Sequence, residues 1–217
     1  MAKTTTNPYT QNLKAAYAYW TNSSGTIQKA LQVGGSDYTG GSNDSVLKRL
    51  TIFNNCTATA SVFGLARLDP SAPTSVQTGT LNSTTAVTGL SDTTLLMVGM
   101  PVSGTGIPTG TFISAIGSST ALTLSKAATA SASNSLTFTY WELICQVNVP
   151  LKSGGDAAGA VINIDMLGSS VVTGLELDQS SKPNLCLPSG WKMCLFNLTA
   201  PAASNGGFIA TADFQEY

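Results

Sequence analysis

The sequence predicts an all-β chain, a jelly-roll-like β-sandwich interrupted by a second, smaller β-domain, and three observations carry that reading. Helical periodicity is nearly absent. Apolar residues recur instead in short alternating or β-branched runs separated by Gly, Asn, Ser and Pro, the pattern of strands and turns. The composition also changes sharply in the middle of the 217 residues. Between residues 71 and 139 the only charged side chains are Asp92 and Lys126, and Thr, Ser, Ala, Gly and Val dominate, whereas the flanks hold nearly all the charge and all three tryptophans.

Taken in order, the first element is the one candidate helix, residues 13–20, where Leu13, Ala16, Tyr17 and Trp20 would share a face over barely two turns. Strands are predicted at 27–33, 46–53, 61–68, 160–167, 171–177, 191–198 and 207–214. The clearest strand is YWELICQVNVP. Trp141, Leu143, Cys145, Val147 and Val149 fall on one face, Glu142, Gln146 and Asn148 on the other, and Pro150 ends the run. The first seventy residues offer too few strands to close a sandwich, and 140–217 alone would leave open edges, which natural sheets avoid. The expected organisation is therefore a discontinuous host domain, 1–71 plus 140–217, with 72–139 inserted in a loop between neighbouring strands, so that Ser75 and Tyr140 lie close together.

The glycine-rich stretch MPVSGTGIPTGTFI, residues 100–113, invites comparison with a phosphate-binding loop. A dinucleotide fingerprint needs G-x-G-x-x-G opening into a helix. Here the spacing of Gly104, Gly106 and Gly110 is one residue too long, Pro108 sits inside the loop, and a strand follows. The stretch is predicted to be a loop between strands, with glycines supplying positive φ.

The chain has no histidine, which removes Ser-His-Asp and Cys-His nucleophiles and the commonest metal ligand together. Carboxylate pairs remain as a route to catalysis. Glu176 and Asp178 would share one side of a strand end and Glu142 lies on an outward face, but no second acid can be placed opposite either, and a solvated edge is the simpler reading. Asp37, Asn43 and Asp44 supply oxygens in GGSDYTGGSND without the EF-hand order, so a plain loop is favoured. The prediction is a protein that is not an enzyme, with no cofactor and no metal. Basic residues are scattered, Lys48 and Arg49 being the only adjacent pair, so nucleic acid is not expected. The opening MAKTTTNPYT carries no apolar stretch suited to a secretory signal, and the longest apolar run, 94–102, is broken by Gly99 and Pro101, so neither export by that route nor a membrane span is expected. Cys56, Cys145, Cys186 and Cys194 lack metal-type spacing and are read as reduced, mostly buried thiols, a Cys186–Cys194 bridge across a hairpin being the one pairing worth testing.

Residues 87–139 resemble a known module. "VGM" at 98–100, "VSGTGIPTGT" at 102–111, the pair Ile113 and Ile116, and "TLSKAATAS" at 123–131 are similar to the small Ig-like repeat found in structural proteins of tailed bacteriophages. The likeness spans about a quarter of the chain. It implies a surface-exposed Ig-like β-sandwich on a virion, assembled in the host cytoplasm, as part of a decoration, fibre or tail protein. RLTIFNNCTATASVFGLARL at 49–68, followed by VNVPLKSGG, resembles phage sandwich proteins more loosely. The functional expectation is a capsid decoration or cement protein that binds the major capsid protein, or other virion proteins, through the host domain and projects the inserted module. The alternative is a tail, baseplate or fibre component that contacts host surface glycans. A symmetric homo-oligomer is expected in either case. The candidate partner-contact residues are Tyr9, Tyr17, Tyr19 and Trp20, four large aromatics within twelve residues, which serve either to staple the N-terminus to its own core or to anchor an arm in a neighbour.

Overall fold

The computed structural model describes residues 12–21, 24–41, 44–56, 59–150, 162–165, 185–201 and 207–216. All regular structure among them is β, arranged in three antiparallel sheets. The outer sheet runs β14 (Ile162–Asp165), β5 (Ser45–Asn54), β17 (Phe208–Glu216), β1 (Asn12–Trp20), β3 (Gln32–Val33) and β4 (Ser36–Asp37), with β15 (Leu185–Leu187) also paired to β5. The middle sheet runs β13 (Glu142–Val149), β6 (Ser61–Leu68), β16 (Lys192–Asn197) and β2 (Gln28–Ala30). The third sheet runs β10 (Ile113–Ser118), β11 (Ala121–Leu124), β8 (Ala86–Thr88), β7 (Thr74–Leu81), β12 (Ser133–Thr139) and β9 (Val102–Gly104).

The one candidate helix, 13–20, is a strand. Its residues satisfy two periods at once, because alanines at 16 and 18 fit either, and nine register pairs with β17 decide the matter. Ala16, Ala18 and Trp20 then point into the core while Leu13, Tyr17 and Tyr19 point out.

The first core lies between the outer and middle sheets. Trp20, Leu50, Ile52, Phe208 and Phe214 meet Phe63, Leu65, Met193 and Leu195 there. Trp20 stands edge-on to Phe63 with ring centroids 5.1 Å apart, and Phe63 stands edge-on to Phe208 at 5.0 Å. This is the predicted β-sandwich.

The middle sheet is buried on its other face as well. Ala66, Cys194 and Phe196, which alternate with the first set along β6 and β16, join Met100, Phe112, Phe138 and Trp141 in a second core. The third sheet therefore does not hang from its two connections: it is seated on the sandwich and makes a third layer. Phe196 is the centre of that contact, fully buried, with its ring 5.2 Å from Phe112 and 5.4 Å from Trp141. Two glycines make room for it. A Cβ at Gly64, directly opposite Phe196 in the ladder, would lie 2.0 Å from two carbons of the ring. Gly99 has φ +93°, and a Cβ there would lie 2.6 Å from Phe196.

Strands β7 and β12 pair from Thr80↔Ser133 to Thr74↔Thr139, and the Tyr140 N–H donates to the Pro73 carbonyl at 3.2 Å. Ser75 and Tyr140 are thus neighbours, as predicted. At the far ends of the third sheet, Pro101 bridges Phe112, so the first and last strands meet and the sheet curls around Leu81, Val87, Leu122, Leu136 and Phe138. The stretch 100–113 makes that closure. Gly110, at φ +74°, lies against Ile27, and its carbonyl accepts the Gln28 N–H at 3.2 Å, so the loop also fastens the third layer to the middle sheet.

Strand β13 departs from the predicted facing. Leu143 pairs with Ala66 and Cys145 with Leu65, leaving Ile144 as a bulge. One extra residue turns the strand over. Trp141 and Leu143 consequently join the second core, while Cys145, Val147 and Val149 face the first. Glu142 and Gln146 are exposed, as alternation indicated.

Candidate interaction surface

Of the four aromatic candidates, Tyr9 lies outside the described residues. The other three sit on β1 and separate by parity. Trp20 is only 1 % exposed and its indole N–H donates to the Ile27 carbonyl at 3.0 Å, so it is a core residue with no surface to offer a partner. Tyr17 and Tyr19, 38 % and 53 % exposed, point to the free face of the outer sheet.

Pairing places further groups on that face. Tyr19 is opposite Ile209, which is opposite Phe53; Tyr17 is opposite Thr211, which is opposite Thr51. Leu13 and Ile209 are 69 % and 47 % exposed. The next row carries Asp213 opposite Arg49, joined by an ion pair of 2.7 Å. A shallow depression of about 450 Å³ runs between Tyr17, Thr51, Phe53 and Thr211. Lys29 borders Tyr19, its ammonium 5.1 Å from the ring centroid and donating to the Tyr19 carbonyl at 2.6 Å. Burial, and then the nearby charge of Lys126, lower the Lys29 pKa. The face is flat, aromatic at its centre and ionic at one end. Such composition suits a protein contact.

The other sequence candidates have structural employment or lie elsewhere. Glu142 accepts the Arg67 Nε–H at 3.0 Å, and Arg67 Nη2 bonds the same oxygen. Asp37 pairs with Lys192 at 3.1 Å, and Asp44 accepts the Ser189 N–H at 2.8 Å, pinning the glycine-rich loop. Asn43, Glu176 and Asp178 lie outside the described residues. Cys186, exposed on the outer sheet, and Cys194, buried in the second core, occupy different sheets and are not bridged to each other.

Sequence reasoning missed a cleft beside the seam between the second and third sheets. Tyr140, Trp141 and Trp191 line it with Arg67, Asp69 and Glu142, around a volume of about 260 Å³. Trp191 is fifty residues from Trp141, and only the β13–β6–β16 pairing brings the two together.

Burial pushes the Cys194 thiol up to about 12 and the Cys145 thiol up to about 11, from an ordinary 9.0. Folding thus holds protons that the unfolded chain releases near pH 9. The associated stability is complete below that pH and is lost as pH rises towards 11–12. Thermal unfolding is expected to show a flat midpoint to about pH 8.5 and a decline beyond it. The decline should be shallower in Cys145→Ala/Cys194→Ala, and an unchanged slope in that variant contradicts the buried-thiol account.

No protein-family model, curated protein or solved structure matches the chain.

Proposed function

We propose that the chain is a non-enzymatic structural protein of a tailed-bacteriophage virion, a capsid decoration or cement protein that attaches through its outer sheet and carries the inserted third layer away from the shell. The observation that carries this reading is the relation of the layers. The free face bearing Leu13, Tyr17, Tyr19 and Ile209 lies on one side of the sandwich, and the layer containing the phage-like motif is seated on the other. Attachment by the first face leaves the motif-bearing layer outermost, which accords with the resemblance of residues 87–139 to modules on phage surfaces. The composition of the two faces points the same way. Tyrosine lends large area at low entropic cost and is enriched where proteins bind proteins, and the third layer holds neither Trp nor Tyr between residues 74 and 139.

The test is direct. Density-purified particles are expected to contain the chain in stoichiometric amount with the capsid subunit, and imaging with a label inserted at the Ser118–Ser119 turn should place it over the head. Absence from purified particles overturns the virion reading; a label confined to the tail overturns decoration and leaves a tail or fibre component.

A further inference from the structure

We infer that the cleft formed by Tyr140, Trp141, Trp191, Arg67, Asp69 and Glu142 is a binding site for a neutral saccharide. The inference does not depend on where the chain sits in a particle. The cleft gathers two of the chain's three tryptophans and one of its six tyrosines into one concavity at the junction of two layers, a preferred location for ligand sites. Its volume of about 260 Å³ lies just below the range of about 300–1,000 Å³ for sites that enclose a whole ligand, so it would hold part of a saccharide chain whose remainder runs into solvent.

The aromatic groups are held, not loose. Trp141 is buried at the base, its ring 5.4 Å from Phe196, and its indole N–H has no partner among the described residues, a state that natural proteins rarely leave without reason. The Arg67 guanidinium lies 5.7 Å from the Trp191 centroid and fixes that ring. Arg67 is itself fixed by Glu142 and by the Cys186 carbonyl. Flat, rigid aromatic faces have electron-rich surfaces that receive the weakly positive C–H groups of a pyranose ring.

The polar groups select among ligands. Glu142 cancels the charge of Arg67, so Asp69 supplies the one net charge on the lining, a negative one. A phosphate or an acidic sugar gains nothing there. Glu142 uses Oε2 for Arg67 and Asp69 uses Oδ1 for Ser71, which leaves Oε1 and Oδ2 as acceptors and the Tyr140 hydroxyl as donor or acceptor among the described residues. Acceptors suit a ligand rich in hydroxyl donors. A proline-rich peptide, the other ligand that aromatic clefts take, presents carbonyls and few N–H groups and leaves the two carboxylate oxygens of the rim without donors.

The full-length protein is to be tested on an array of neutral and acidic hexose and N-acetylhexosamine oligosaccharides, alongside a polyproline peptide, with titration of the best neutral hit by tryptophan fluorescence. Trp20 is buried, so a ligand-dependent change reports the cleft. Binding to a neutral oligosaccharide is expected. Trp191→Ala should weaken it at least tenfold, Trp191→Phe by no more than about threefold, and Tyr140→Phe, which removes only a hydroxyl, by two- to fivefold, each with an unfolding midpoint close to the parent's. Four results would overturn the inference: no neutral sugar bound at millimolar concentration, a preference for acidic sugars, capture of polyproline instead, or sugar binding that Trp191→Ala and Tyr140→Phe both leave unchanged.

Discussion

Phe196→Ala is expected to lower stability by about 3–5 kcal/mol, the range for removing a fully buried phenylalanine, and to lower the unfolding midpoint by on the order of 10 °C for a chain of this length. The upper part of the range is expected because the site cannot collapse. Gly64 and Gly99 offer no side chain to move into the space, and Phe112 and Trp141 are positioned by separate layers. The loss should also be local in character. Phe196 belongs to the second core, whereas its neighbours Met193 and Leu195 belong to the first. Hydrogen exchange in Phe196→Ala is therefore expected to accelerate first along the seam, at the Gln28 and Gly99 amides, while the β1–β17 ladder keeps its protection. A Leu195→Ala control should instead loosen the sandwich. Equal loss of protection in both ladders would mean that the three layers unfold as one unit.

The same arrangement explains what could be read from the sequence and what could not. Residues 61–68 and 192–197 hold apolar groups at successive positions, SVFGLA and MCLF, without clean alternation. That is the signature of a strand covered on both faces, and it marks the middle layer once the third sheet is known to lie there. Strand boundaries were legible because Gly, Pro and Asn punctuate them: 61–68 agrees at both ends, and 207–214 and 46–53 nearly so. The segment that forms the third sheet stands out in the sequence by its charge, since a stretch with one acid and one base contrasts with flanks that carry the rest. Two features were hidden because they depend on distant pairing. The bulge at Ile144 inverts the facing of half of β13, yet locally the run alternates without a break. The aromatic cleft needs β16 beside β6 and β6 beside β13, and no short window of sequence contains that fact.

The layered structure also decides how attachment should be tested. Excising residues 72–138 would uncover Ala66, Cys194, Phe196 and Trp141 together, an apolar patch on the middle sheet that invites association regardless of function. Point changes on the two outer faces avoid this. Tyr19→Asp/Ile209→Asp places two charges at adjacent, half-exposed positions of the outer sheet, where each side chain can reach water and the core is untouched. Val76→Asp/Leu95→Asp does the same on the third layer, at positions 62 % and 68 % exposed. If the outer sheet is the attachment face, the first pair should weaken binding to particles lacking the protein by about 100-fold or more, because central aromatic anchors typically cost 2 kcal/mol or more each when lost. The second pair should leave binding within about threefold. Both should keep the native β spectrum and unfold within a few degrees of the parent, surface changes being small in effect. The opposite pattern, binding lost with Val76→Asp/Leu95→Asp and kept with Tyr19→Asp/Ile209→Asp, would invert the molecule on the particle and make the motif-bearing layer the attachment site.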